Sequence, residues 1–132
     1  MRQDSAAKKA SILVIDDDPM ITRLVATVLE SDGHVIHTAN GGREGLSQAR
    51  ALSPDLIFVD ITMPDMSGYE VTRQLKEDTA LRDTPVIYLT GRPPAEDGGR
   101  SFSTGGLAFI RKPFSPRQLK DLVRVTLMSV SD

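Results

Sequence analysis

The chain has no cysteine. Disulfides, thiolate metal sites and cysteine nucleophiles are therefore excluded, a composition that fits the cytoplasm. No apolar stretch approaches the roughly 20 residues that a membrane helix needs. Lys8 and Lys9 are not followed by an apolar segment, so residues 1–10 do not read as a signal peptide; they are expected to form a disordered lead-in. Neither sign of charge dominates. Sixteen basic against 18 acidic residues give a net charge of -2, which offers no electrostatic case for nucleic acid or an anionic membrane. Internal repeats and low-complexity linkers are also lacking. The 132 residues, 39% hydrophobic and 26% charged, suit one globular domain, expected over 11–132.

Strand and helix signals alternate from Ser11 to Val130. Strands are predicted over Ile12–Ile15, His34–Ala39, Leu56–Ile61, Pro85–Thr90 and Leu107–Arg111. The first, third and fourth are short apolar runs, as fully buried parallel strands are. A helix is predicted from Pro19 to Ser31, with Ile21, Leu24, Val25, Val28 and Leu29 on one face at helical spacing. Asp18 suits its N-cap, Pro19 its first position, and Gly33 stops it. Gly41-Gly42 turns the chain into a second helix, Arg43 to Leu52, and a third runs over Tyr69–Glu77 with Val71 and Leu75 inward. Ser115-Pro116-Arg117-Gln118 forms a capping box for a terminal helix to Val130, with Leu119, Leu122, Val123, Val125 and Leu127 mostly buried. Between the fourth and fifth strands Pro93, Pro94, Gly98 and Gly99 weaken any helix, here placed over Ala95–Ser103. Five strands alternating with helices give an α/β sandwich with a parallel sheet.

Two of the apolar runs end on carboxylates: Ile15 is followed by Asp16, Asp17 and Asp18, and Val59 by Asp60. In an open α/β sheet functional residues collect beyond the carboxyl ends of the strands. Acids crowded there repel one another unless a cation sits among them or some are protonated, and an all-oxygen donor set suits a hard ion such as Mg²⁺. Thr90 and Lys112 end the fourth and fifth strands at the same edge. Carboxylates, a hydroxyl and a lysine around a metal suit the handling of phosphoryl groups, with one carboxylate as nucleophile. Met20, Met63 and Met66 read as packing residues, His34 and His37 as structural ones, and Gly68 as a permissive backbone at a loop-to-helix turn.

Four motifs carry a resemblance: Ile12-Leu13-Val14-Ile15-Asp16-Asp17-Asp18-Pro19; Asp60-Ile61-Thr62-Met63-Pro64 running to Gly68; Leu89-Thr90-Gly91; and Phe109-Ile110-Arg111-Lys112-Pro113-Phe114. In this order and on these strand ends they resemble the receiver domain of two-component response regulators, over essentially all of 11–130. The resemblance implies a flavodoxin-like fold, a five-stranded parallel sheet of order 2-1-3-4-5 with helices on both faces. It implies Asp60 as phosphoacceptor; Asp17, Asp16, Asp60 and the Thr62 backbone carbonyl as holders of Mg²⁺; Lys112 and Thr90 as partners of the phosphoryl group; Phe109 as an aromatic switch; and a cis Lys112-Pro113 bond. It further implies a histidine kinase or histidine phosphotransfer protein as donor, and a downstream protein or fused output domain as target. The domain itself would bind neither nucleic acid nor membrane, and would be a monomer or weak dimer. It would not be an enzyme beyond self-phosphorylation and self-dephosphorylation.

Two other readings compete. One is a pseudo-receiver that only binds partners, against which the intact acids, Thr90 and Lys112 argue. The other is a haloacid-dehalogenase-like phosphatase with Asp16 as nucleophile and Asp18 two residues on; Pro19 and the short chain argue against it. The departures from the family pattern are Gly106, where alanine is usual, and the weakened Ala95–Ser103 helix, expected to be short, shifted or mobile. Arg92 is a candidate for shielding a phosphoryl group, though a solvated arginine is the simpler reading.

Overall fold

The computed structural model describes residues 9–91 and 103–130. Five strands, β1 (Ser11–Ile15), β2 (Val35–Ala39), β3 (Leu56–Asp60), β4 (Val86–Thr90) and β5 (Ala108–Arg111), form one parallel sheet of order β2-β1-β3-β4-β5. The helices described are α1 (Pro19–Glu30), α2 (Gly42–Leu52), α3 (Gly68–Glu77) and α4 (Pro116–Val130). Arg92 and all but the last residue of the Ala95–Ser103 helix lie outside the described residues, as do residues 1–8. Ala10, assigned above to a disordered lead-in, is instead buried: its N–H donates to His34 Nδ1 at 3.1 Å and its carbonyl accepts from Val35 at 2.9 Å.

The three central strands are apolar because both of their faces are covered. Side chains alternate across a strand. Ile12 and Val14, with Leu56, Phe58, Ile87 and Leu89, therefore face α1 and α4, where they meet Val25, Leu29, Leu119 and Val123. Leu13 and Ile15, with Ile57, Val59, Val86 and Tyr88, face α2 and α3, where they meet Leu46, Ala49, Val71 and Leu75. Each fully buried aliphatic side chain contributes roughly 2 kcal/mol relative to exposure. This double core fixes the sheet and so the edge at which its strands end.

Two helix faces differ from expectation. Leu24 is exposed while Thr22 is buried, its hydroxyl donating to the Pro19 carbonyl at 3.2 Å. On α4 Val125 is 62% exposed and Thr126 is buried. The inward stripe runs through Leu119, Val123, Thr126 and Leu127, spacings of three and four that exclude Val125. Met20 projects into solvent at the start of α1 rather than packing, whereas Met63 is in the core. The helix starts agree with their sequence signals. Asp18 Oδ1 accepts from the Met20 N–H at 2.9 Å, and Ser115 and Gln118 cap α4 reciprocally at 3.1 and 2.8 Å. Gly33, at φ +93°, takes the left-handed conformation that ends α1.

Candidate functional site

Strand register builds the site. Ile15 of β1 lies opposite Val59 of β3, so the next residues, Asp16 and Asp60, end adjacent strands side by side. Asp60 lies opposite Leu89 of β4, and Thr90 opposite Arg111 of β5. The N–H of Lys112 donates to the Thr90 carbonyl at 2.7 Å. Asp16, Asp60, Thr90 and Lys112 thus stand at one sheet edge on four successive strands. The bond from Lys112 to Pro113 is cis.

Burial is severe for acids: Asp16 is wholly buried, Asp60 and Thr90 are 6% exposed, and Asp17 is open to solvent. Carboxylate oxygens of Asp16, Asp17 and Asp60 lie within 4.8 Å of one another. No other such cluster of three acids or histidines occurs among the described residues. Lys112 Nζ donates to Asp60 Oδ1 at 3.1 Å and lies 3.0 Å from Asp16 Oδ2. The second contact is an ion pair, and among the described residues Asp16 Oδ2 is buried with no hydrogen-bond partner beyond it. Its partner Oδ1 accepts from the Asp18 N–H at 2.9 Å.

Burial pushes the Asp60 carboxyl up to about 6, and the charges of Asp16 and Asp17 add to it, while Lys112 opposes the rise. For Lys112 itself, burial lowers the pKa, but the carboxylates of Asp16 and Asp60 outweigh it and hold the ammonium above its ordinary range. Three carboxylates against one ammonium leave an excess of two negative charges in a largely buried pocket. A divalent cation with oxygen ligands fits that excess and the buried Asp16 oxygen, whose one neighbouring positive charge among the described residues is the Lys112 ammonium.

The response regulator receiver domain is the family whose pattern matches residues 12–124.

The chain belongs to that family.

It is 36% identical over 116 residues to the DNA-binding dual master transcriptional regulator RpaA of Synechocystis, covering 88% of this chain and 48% of that protein. It is 35% identical over 120 residues to the phosphate regulon transcriptional regulatory protein PhoB of Escherichia coli, covering 91% of this chain and 52% of that one. The chain spans about half the length of the curated relatives it matches. Among solved structures, chemotaxis response regulator CheY4 of Vibrio cholerae superposes with a TM-score of 0.87 at 29% identity, over 91% of this chain and all of that one. No helix among the described residues is long and apolar enough to cross a membrane.

The receiver fold places the remaining candidates as follows. Thr62 lies exposed in the loop between β3 and α3. Phe109 is half-buried on the α2 and α3 side of the sheet, opposite Tyr88 in register. The role of Gly68 differs from the sequence reading: its backbone needs no special φ, but its position admits no side chain. A Cβ there would stand 2.4 Å from the Asp60 carbonyl oxygen and 2.9 Å from Ile61 Cα. The close approach lets the Gly68 N–H reach the Ile61 carbonyl at 2.8 Å, locking the start of α3 onto the end of β3. Two residues of the site region escaped the sequence reading. Tyr88 is fully buried, its hydroxyl 2.6 Å from Thr104 Oγ1 and its ring edge-on to Tyr69 at 5.5 Å. Asp65 caps α2 from the β3–α3 loop. The sequence signal for Asp65 was the glycine pair at 41 and 42, whose need for space is visible only once the loop is placed.

Proposed function

We propose that this receiver is a phospho-switch in which Asp60 accepts a phosphoryl group from a phosphohistidine of a histidine kinase or histidine phosphotransfer protein. The observation that carries this reading is the Lys112 ammonium held between the buried carboxylates of Asp60 and Asp16, at 3.1 and 3.0 Å. In the transfer a carboxylate oxygen of Asp60 bonds to phosphorus, and the bond from phosphorus to the donor imidazole breaks with its electron pair returning to nitrogen. The attack requires ionised Asp60, and a carboxyl near 6 is ionised at neutral pH.

Mg²⁺ fits the residues present: Asp16, Asp17 and Asp60 would hold it with the Thr62 backbone carbonyl. When bound it neutralises charge on the phosphoryl oxygens. Lys112, already hydrogen-bonded to Asp60, transfers that contact to a phosphoryl oxygen. The Thr90 hydroxyl, one strand away, donates to another. Thr90 and Phe109 sit on adjacent paired strands, so movement of Thr90 toward the phosphoryl group opens space into which the Phe109 ring turns. The altered surface then binds a downstream protein or a fused output domain. The chain acts as phosphoacceptor in the cytoplasm, with no catalysis beyond its own phosphorylation and dephosphorylation.

Beryllofluoride, an acyl-phosphate mimic, tests the site. With Mg²⁺ it should shift backbone amide resonances around Asp60, Thr90 and Lys112 in the intact chain and not in Asp60→Asn. Mg²⁺ and beryllofluoride leaving the intact chain unchanged would make it a pseudo-receiver.

A further inference from the structure

We propose that Asp65 is a positioning residue for the cation site, holding the loop that carries Thr62 against the start of α2. The inference rests on the reading that Asp16, Asp17, Asp60 and the Thr62 carbonyl hold a divalent cation.

The first N–H groups of a helix have no partner within it. Gly41, at the N-cap of α2, offers no side chain to satisfy them. The N–H groups of Gly42 and Arg43 donate instead to Asp65 Oδ1 and Oδ2, at 3.0 and 3.1 Å, from a residue 23 and 22 positions further on. A carboxylate is favoured at the positive end of a helix. Accordingly, the hydrogen bond from Arg43, then that from Gly42, holds the Asp65 carboxyl below its ordinary range.

The glycine pair makes the contact possible. A Cβ on Gly41 would stand 3.1 to 3.3 Å from the three carboxyl atoms of Asp65. One on Gly42 would meet Met66 Cβ at 2.9 Å and Val71 Cγ2 at 3.0 Å. Gly41-Gly42 is therefore a seat for the β3–α3 loop as well as a turn. The loop is fastened at its base by Gly68 on Ile61, inside by buried Met63, and at its outer side by Asp65 and Met66 on α2. Thr62 lies between these fastenings. With the outer side held by Asp65 as well, the span that carries the Thr62 carbonyl is fixed at both ends beside the carboxylate cluster.

The test separates this role from simple helix capping. Asp65→Ala removes both the cap and the tie. Adding Gly41→Asn to Asp65→Ala supplies a local cap, in space the missing carboxylate vacates, without restoring the tie. Mg²⁺ alone is titrated into the full chain while backbone amide resonances are followed, and melting temperature is recorded for each variant. The expected result is Mg²⁺ binding on the order of tenfold weaker in Asp65→Ala, and equally weak in the double variant although its melting temperature recovers. Unchanged affinity in Asp65→Ala, or affinity that recovers together with the cap, overturns the inference. Failure of the unsubstituted chain to bind Mg²⁺ overturns the cation reading itself, and the inference with it.

Discussion

The α-carbon of Gly68 is packed so closely onto the backbone of Asp60 that a Cβ would stand 2.4 Å from the Asp60 carbonyl oxygen. The obstacle is backbone, which cannot swing aside as a flexible side chain does. Gly68→Ala should therefore destabilise the fold by about 1–3 kcal/mol, the usual range for overpacking, and displace the end of β3. Urea unfolding gives the first quantity. Amide shifts at Asp60 and Ile61 report the second.

Asp60 makes stability depend on pH in an unusual direction for a carboxylate. Its folded-state pKa is raised from 3.8 to about 6, chiefly by burial and next by Asp16. Between those values the folded chain binds more protons than the unfolded one. The stability contributed by the protonated group is fully present below about 4 and lost as pH rises through about 6. Asp60→Asn should remove this loss and raise stability at pH 7 without divalent cation by about 1 kcal/mol, a figure below the full shift because the site is partly solvated. Melting curves of both proteins from pH 4 to pH 8, in chelator, would show the two converging at the acid end.

Lys112 is the cation that the structure supplies to Asp16 and Asp60. Lys112→Met leaves two adjacent buried carboxylates without a counter-charge, and should cost about 2 kcal/mol in chelator, less than a fully buried pair because the lysine is 23% exposed. A divalent cation should offset much of that loss, since anything that binds only the folded state stabilises it. Denaturant midpoints with and without Mg²⁺ measure both effects. An Mg²⁺ increment no larger than in the unsubstituted chain would contradict the charge argument.

Tyr88 links the sheet to the segment that leads into β5. Its hydroxyl meets Thr104, and its ring packs edge-on against Tyr69, the residue after Gly68. Tyr88→Phe keeps the ring and removes the hydroxyl. The expected cost is about 1 kcal/mol, with faster amide hydrogen exchange in residues 103–107. Unaltered exchange there would show that the hydroxyl does not hold this segment.

The sheet was legible because buried parallel strands need continuous apolar runs, and Leu56 to Val59 and Val86 to Leu89 fit nothing else at that length. Asp16, Asp17, Asp60, Thr90 and Lys112 were legible because each ends such a run or follows one within two residues. Strand register then carries them to one edge without any further information. Other features depend on contacts distant in the sequence. Val125 looked like a core residue by type, but the stripe set by Leu119 and Val123 gives the inward place to Thr126. Gly68 looked like a turn residue, whereas its lack of a side chain serves contact with Asp60. Asp65 carried no local signal, because the helix it caps begins 23 residues earlier, and the glycine pair that makes room for it is informative only once the loop is placed.

The most direct test of Asp60 as phosphoacceptor is to incubate the chain and its Asp60→Asn variant with Mg²⁺ and a small-molecule phosphoryl donor, and to locate the modification by mass spectrometry. The expected result is one acid-labile phosphoryl group on the peptide containing Asp60, dependent on Mg²⁺ and absent from the variant. Phosphate on Asp16, on a histidine or on any other residue of the unsubstituted chain, or equal incorporation into Asp60→Asn, would contradict it.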